Sequence, residues 1–193
     1  MYRDSNDYDE IVKLVTEIYE DYDISTFPIN AETIATKMGF QVIYYSELDM
    51  KSRIAAWKYT QFGTNGTNKK HDRKIYVNDK GNTKENQEST ILHEIKHILF
   101  YENEEDEKNE DLADYFAKYM KCPIVYAIFK GYDNLADLKK DFALSEAMAN
   151  NVLRNIENRK HKYGDSIFDE ELRLLKQILK DKYNVDDLNI IKK

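Results

Sequence analysis

His93-Glu94-Ile95-Lys96-His97 sets two histidines four residues apart, with a glutamate directly after the first. On a helix that interval is a little more than one turn, so both imidazoles project from one face and Glu94 leads off toward its flank. The arrangement suits a zinc ion held by His93 and His97 with Glu94 beside it as general base, and the corresponding chemistry is metal-assisted hydrolysis. A catalytic zinc needs a third protein ligand and an open fourth position. The segment from Glu110 to Ala117 supplies a candidate. On a helical wheel Glu110, Ala113, Asp114 and Ala117 share a face, while Leu112, Phe116 and Tyr119 lie on the other. The two alanines let this helix approach the first closely enough for Glu110 to join His93 and His97. Asp114, one turn on, is placed to accept the free ring N–H of a ligand histidine and fix its tautomer. The competing reading is an amphipathic helix with solvated acids.

These side chains need a scaffold. Ile91, Leu92, Ile95, Ile98 and Leu99 form an apolar stripe roughly opposite the two histidines, which turns His93 and His97 away from that core. Asn82 with Glu85 could cap the helix start, and Thr83 or Asn86 would serve nearly as well. Upstream, Ile11, Leu14, Val15, Ile18, Tyr19 and Tyr22 have helical spacing, and a short helix from about Asn30 to Met38 closes at Gly39. Phe40 to Tyr45, Arg53 to Thr60 and Lys74 to Asn78 are rich in β-branched and aromatic residues, with Gly63, Asn65 and Gly66 marking a loop between the last two. They predict a small antiparallel sheet. Ile54 to Tyr59 is either an edge strand near the cleft, able to pair with an extended substrate, or an interior strand with Trp57 in the core.

After Pro123 the pattern is helical. Leu135, Leu138 and Phe142 lead to a turn, Ser145 can cap a new helix carrying Val152, Leu153 and Ile156, and a last helix is expected from Asp169 to Lys182. The helix–turn–helix spacing invites a DNA-binding reading. Asp137, Asp141, Glu146 and Glu157 dilute Lys139, Lys140, Arg154 and Arg159, however, so packing or substrate recognition is preferred. The expected organisation is α+β: a zincin-like metallopeptidase domain over residues 1–124 and a helical segment over 125–193.

Composition narrows the partners. The chain has 193 residues and a net charge of −7, which suits one substantial core with an appended helical piece and argues against tight nucleic-acid binding. An acidic run from Glu102 to Asp111 lies between the two zinc helices and reads first as a solvated loop, second as a surface for a basic partner. The single cysteine, Cys122, excludes an internal disulfide and reads as packing. The first residues carry no basic-then-apolar leader, and no run approaches a membrane span, so a cytoplasmic protein is expected.

The motif His93-Glu94-Ile95-Lys96-His97, followed by Glu110-Asp111-Leu112-Ala113-Asp114-Tyr115-Phe116-Ala117 and a helix ending at Pro123, resembles the ImmA/IrrE family of metallopeptidases. Ile75-Tyr76-Val77-Asn78 resembles the strand before the zinc helix in that family, and Leu135 to Val152, with Phe142-Ala143-Leu144-Ser145, resembles the helical segment that commonly follows. Lys96 departs from the pattern, which usually has glycine there. The resemblance implies cleavage of a helix-turn-helix repressor, often in a mobile element or stress regulon. In the mechanism expected, zinc acidifies water and Glu94 takes its proton, later returning it to the leaving amine. Tyr76, His71 and Tyr101 are candidates by type for an oxyanion donor, and none is singled out. The competing function is a regulatory protein that binds a repressor without cutting it, and an intact Glu94 argues against that.

Overall fold

A computed structural model describes residues 5–59, 63–64, 73–100, 107–164 and 166–180. Thr60, Asn65, Gly66, His71, Tyr101, residues 102–106 of the acidic run and the end of the expected last helix at Lys182 lie outside them. The chain divides into two compact units, one of Asn30–Ala117 and one of Met1–Ile29 with Lys118–Lys193.

In the unit of residues 30–117 the chain opens with helix α2 (Ala31–Lys37), which follows α1 (Ser5–Asp21) of the other unit. Asn30 caps α2 by accepting from Thr33 N at 2.7 Å. Gly39, at φ +81°, closes it. A Cβ at Gly39 would lie 3.2 Å from Arg73 Nη1, and that same nitrogen donates to Met38 O at 3.1 Å. The turn therefore needs glycine for both its backbone angle and its close approach. Strand β1 (Gln41–Tyr44) follows, then a 3₁₀ turn at Tyr45–Glu47 and helix α3 (Met50–Tyr59). Strands β2 (Gly63–Thr64) and β3 (Lys74–Val77) lead into α4 (Lys84–Phe100) and α5 (Glu107–Lys121).

The sheet corrects the antiparallel expectation. Its order is β1-β3-β2, with β1 parallel to β3 in the register Gln41↔Lys74 to Tyr44↔Val77. Only the two-residue β2 runs antiparallel, pairing Gly63 with Val77 and Thr64 with Tyr76. Parallel neighbours require a crossover, and α3 supplies helical structure within it. The stretch expected as the middle strand is therefore helix through Tyr59. Asp49 starts it: its Oδ1 accepts from Lys51 N at 2.9 Å and Ser52 N at 3.1 Å, and Ser52 Oγ donates to Oδ2 at 2.5 Å. This cap, followed by Lys51, Arg53 and the Ala55-Ala56 pair, outweighs the β-preference of Ile54 and Trp57. Trp57 is 59% exposed, so neither the cleft-edge strand nor the buried-strand reading holds. Arg53 faces the other way and pins α3 to the 3₁₀ turn, donating to Tyr45 O, Ser46 O and Leu48 O at 2.8–2.9 Å.

From β3 the chain turns into α4 through Asn78, whose Oδ1 accepts from Lys80 N at 2.9 Å. Thr83 is the cap, with its hydroxyl oxygen accepting from Asn86 N at 3.3 Å. The expected stripe is buried at Ile91, Leu92 and Ile95. Burial extends further round the helix than the stripe, taking in Glu94, Lys96 and His97.

The other unit is helical: α1, the end of α5, α6 (Ile124–Lys130), α7 (Leu135–Phe142), α8 (Glu146–Tyr163) and α9 (Asp169–Leu179). Ile11, Val15, Ile18 and Tyr19 bury the inner face of α1, and α1 packs on α9, whose Leu172, Leu175 and Ile178 are buried. Phe142 is ringed by Phe27, Tyr126 and Tyr132, with centroids 4.9–6.2 Å away. The helix–turn–helix spacing is realised, with Ala143 left-handed at φ 48° and Ser145 capping α8 through Met148 N at 3.3 Å. Cys122 is fully buried, as packing requires. Among the described residues no helix is long and apolar enough to cross a membrane.

Candidate metal centre

α4 presents His93 and His97 one turn apart, and α5 brings Glu110 to them. Ala113, one turn beyond Glu110, is fully buried, and its small side chain permits the approach. The His93 and His97 Nε2 atoms lie 3.0 Å apart. Glu110 Oε2 is 3.3 Å from His93 Nε2, and Oε1 is 3.1 Å from His97 Nε2. Among the described residues these three form a group able to hold a metal ion, with ligand atoms all within 4.8 Å of one another.

The donor set fits a small divalent cation. Bonds near 2.0–2.1 Å in tetrahedral geometry place neighbouring ligand atoms roughly 3.3 Å apart; the Nε2–Nε2 separation and the distance from each histidine to a Glu110 oxygen, Oε2 for His93 and Oε1 for His97, lie at or slightly inside that value. Two imidazole nitrogens and a carboxylate are also the ligand types zinc takes in hydrolytic sites.

Electrostatics divide the histidines. Burial pushes His97 down to about 4, reinforced by the neighbouring His93 and Lys96. Its ring is therefore neutral near pH 7 and carries a lone pair. Burial also acts against a charged His93, but the Asp114 hydrogen bond and the charges of Glu94, Asp114 and Glu110 prevail and hold its pKa above the ordinary imidazole value. A metal ion at His93 Nε2 therefore competes with a proton held more tightly than on an ordinary imidazole. Asp114 Oδ1 sits 2.9 Å from His93 Nδ1, on the side of the ring away from the ligand triangle.

Glu94 does not join the triangle. It points from the same helix into a buried setting, 6% exposed. Its charge, after burial itself, helps push the Tyr45 hydroxyl up to about 12. Tyr45 is fully buried at the start of the 3₁₀ turn directly after β1, and no spacing rule singles it out, because its place depends on the parallel pairing of β1 with β3. Of the oxyanion candidates, Tyr76 is half-buried on β3, while His71 and Tyr101 lie outside the described residues. Lys96, noted in the sequence only as a departure from the usual glycine, is a second feature whose burial the sequence reading did not foresee. It is 1% exposed, and the available signal was its position four after Leu92 and three before Leu99, at the margin of the apolar stripe.

Comparison with known proteins agrees with this geometry. No curated protein and no solved structure matches the chain. The model of the IrrE N-terminal-like domain, Peptidase M78, matches residues 35–154, more than half of the chain and a span that includes all three candidate ligands, Glu94 and Asp114. The chain belongs to this metallopeptidase family.

Proposed function

We propose that the protein is a zinc-dependent endopeptidase with a zincin-like core, working in the cytoplasm on a protein substrate. The substrate we infer is a helix-turn-helix transcriptional repressor, whose cleavage derepresses the genes it controls. The observation that carries the catalytic part is the convergence of His93 Nε2, His97 Nε2 and a Glu110 carboxylate oxygen within 4.8 Å. The repressor rests on the resemblance to ImmA/IrrE proteins alone.

When bound by His93, His97 and Glu110, zinc supplies Lewis acidity that polarises a peptide carbonyl and makes water a stronger acid. Glu94, adjacent in sequence to a ligand and not itself one, takes a proton from the attacking water as its oxygen bonds to the carbonyl carbon. It delivers that proton to the amine nitrogen as the C–N bond breaks. The nearly complete burial of Glu94 keeps bulk water from competing for the proton. Asp114 holds the His93 ring with its Nε2 lone pair toward the triangle.

The test pairs wild type with Glu94→Gln. Each is incubated with the repressor encoded beside the gene, fragments are read by mass spectrometry, and uncut repressor is read by pull-down. The expected result is specific fragments from wild type, with at least about a hundredfold less from Glu94→Gln at unchanged repressor binding. If wild type binds the repressor without cutting it and Glu94→Gln is as functional in cells, the protein is a non-proteolytic regulator.

A further inference from the structure

We propose that Lys96 is a positioning residue for the metal centre: its buried ammonium ties the first turn of α5 to α4 and thereby sets where Glu110 meets His93 and His97. The inference rests on the metal-site reading above and goes beyond it by naming what holds the third ligand in place.

Lys96 directly precedes His97 on α4, and Asn109 directly precedes Glu110 on α5. Lys96 Nζ reaches across thirteen positions of sequence to donate to Asn109 O at 3.4 Å. The same Nζ stands 5.3 Å from the centre of the Phe100 ring, a cation–π distance that helps compensate the charge. A carbonyl has two acceptor sites, so Asn109 O can serve its own helix and still take the lysine.

Packing alone does not account for a lysine here. The position shares a helix face with Leu92 and Leu99, where leucine or methionine would fill the space without desolvating an ammonium. What lysine adds is a polar reach from the helix that carries both histidines to the main chain next to Glu110. Glu110 needs such help. Its side chain is 45% exposed, so packing around the carboxylate does not fix it, and its placement depends on where the α5 backbone is held.

The test is a double-mutant cycle on zinc affinity, measured by competition with a chromogenic chelator, with cobalt(II) absorption reporting the ligand set. Lys96→Met should weaken zinc binding by about ten- to a hundredfold, as changes to groups that orient ligands do, and should alter the cobalt spectrum as Glu110 contributes less. In a Glu110→Ala background the same Lys96→Met change should cost almost nothing further, because Lys96 acts through Glu110. Lys96→Arg, which keeps a charged donor, should recover part of the loss. Should Lys96→Met fail to fold, Lys96→Gln, whose amide falls short of the Asn109 carbonyl, takes its place in the cycle. The proposal is overturned if the Lys96 variant binds zinc like wild type with an unchanged cobalt spectrum. It is equally overturned if the loss is the same with and without Glu110, since lysine would then serve general stability. If wild type itself binds neither metal, the metal-site reading fails along with it, and that outcome is distinct from both.

Discussion

Asp114 Oδ1 stands 2.9 Å from Nδ1 of His93, although the Asp114 side chain is 71% exposed. An exposed carboxylate contributes little to folding, whereas one that sets the tautomer and ring angle of a metal ligand contributes to metal binding. The two roles separate in Asp114→Asn. Zinc affinity should fall by roughly ten- to a hundredfold, while stability changes by no more than about 0.5 kcal/mol. Chelator competition and thermal melting of the same preparations measure the two. Equal zinc affinity in both proteins would reduce Asp114 to a surface acid.

A second prediction concerns the helical unit. Arg159 Nη2 and Glu171 Oε2 lie 2.6 Å apart, with side chains only 12% and 8% exposed. The guanidinium also lies 5.0 Å from the ring centres of both Tyr163 and Phe168. Removing one partner strands a buried charge, so Glu171→Leu should destabilise by about 3–5 kcal/mol. Replacing both, as Arg159→Met with Glu171→Leu, should return most of that. Urea midpoints of the two variants decide it, and a double variant no more stable than the single one would contradict the account.

Alkaline pH should loosen the fold at Tyr45. Burial first, and then the charge of Glu94, push its hydroxyl up to about 12, whereas an unfolded tyrosine titrates near about 10. The folded state therefore holds the proton more tightly. Its contribution is intact below the unfolded value and is lost as pH rises from there through the folded one. Denaturation midpoints should fall above about pH 10, and less steeply in Tyr45→Phe. Identical slopes for wild type and variant would show that Tyr45 does not carry the effect.

Local periodicity made the candidate metal site legible as a cluster. His93, His97, Glu110 and Asp114 are each fixed by a 3.6-residue repeat on one of two helices, and an alanine on the Glu110 face signalled the close approach. Asn30, Gly39 and Ser145 likewise announce helix ends by their own chemistry. Features that depend on more than one segment were not legible. Thr83 was one of several equivalent caps until Asn86 N chose it. Ile54 and Trp57 have strand-like side chains, and the Asp49 cap with the helix formers around them makes their segment a helix, in the crossover that the parallel β1-β3 pair requires. Lys96 stood out only as a departure from the family's usual glycine, and its nearly complete burial depends on what packs against α4, which the sequence of one helix does not show.

The central claim is that His93, His97 and Glu110 hold one metal ion, and elemental analysis tests it most directly. Wild type, purified without added chelator, should carry about one zinc per chain, as a site with three protein ligands does. His93→Ala, His97→Ala and Glu110→Ala should each bind it too weakly to carry it through purification, while Glu94→Gln should keep it. Equal zinc in wild type and in all three ligand variants would contradict the account, because the metal would then reside elsewhere.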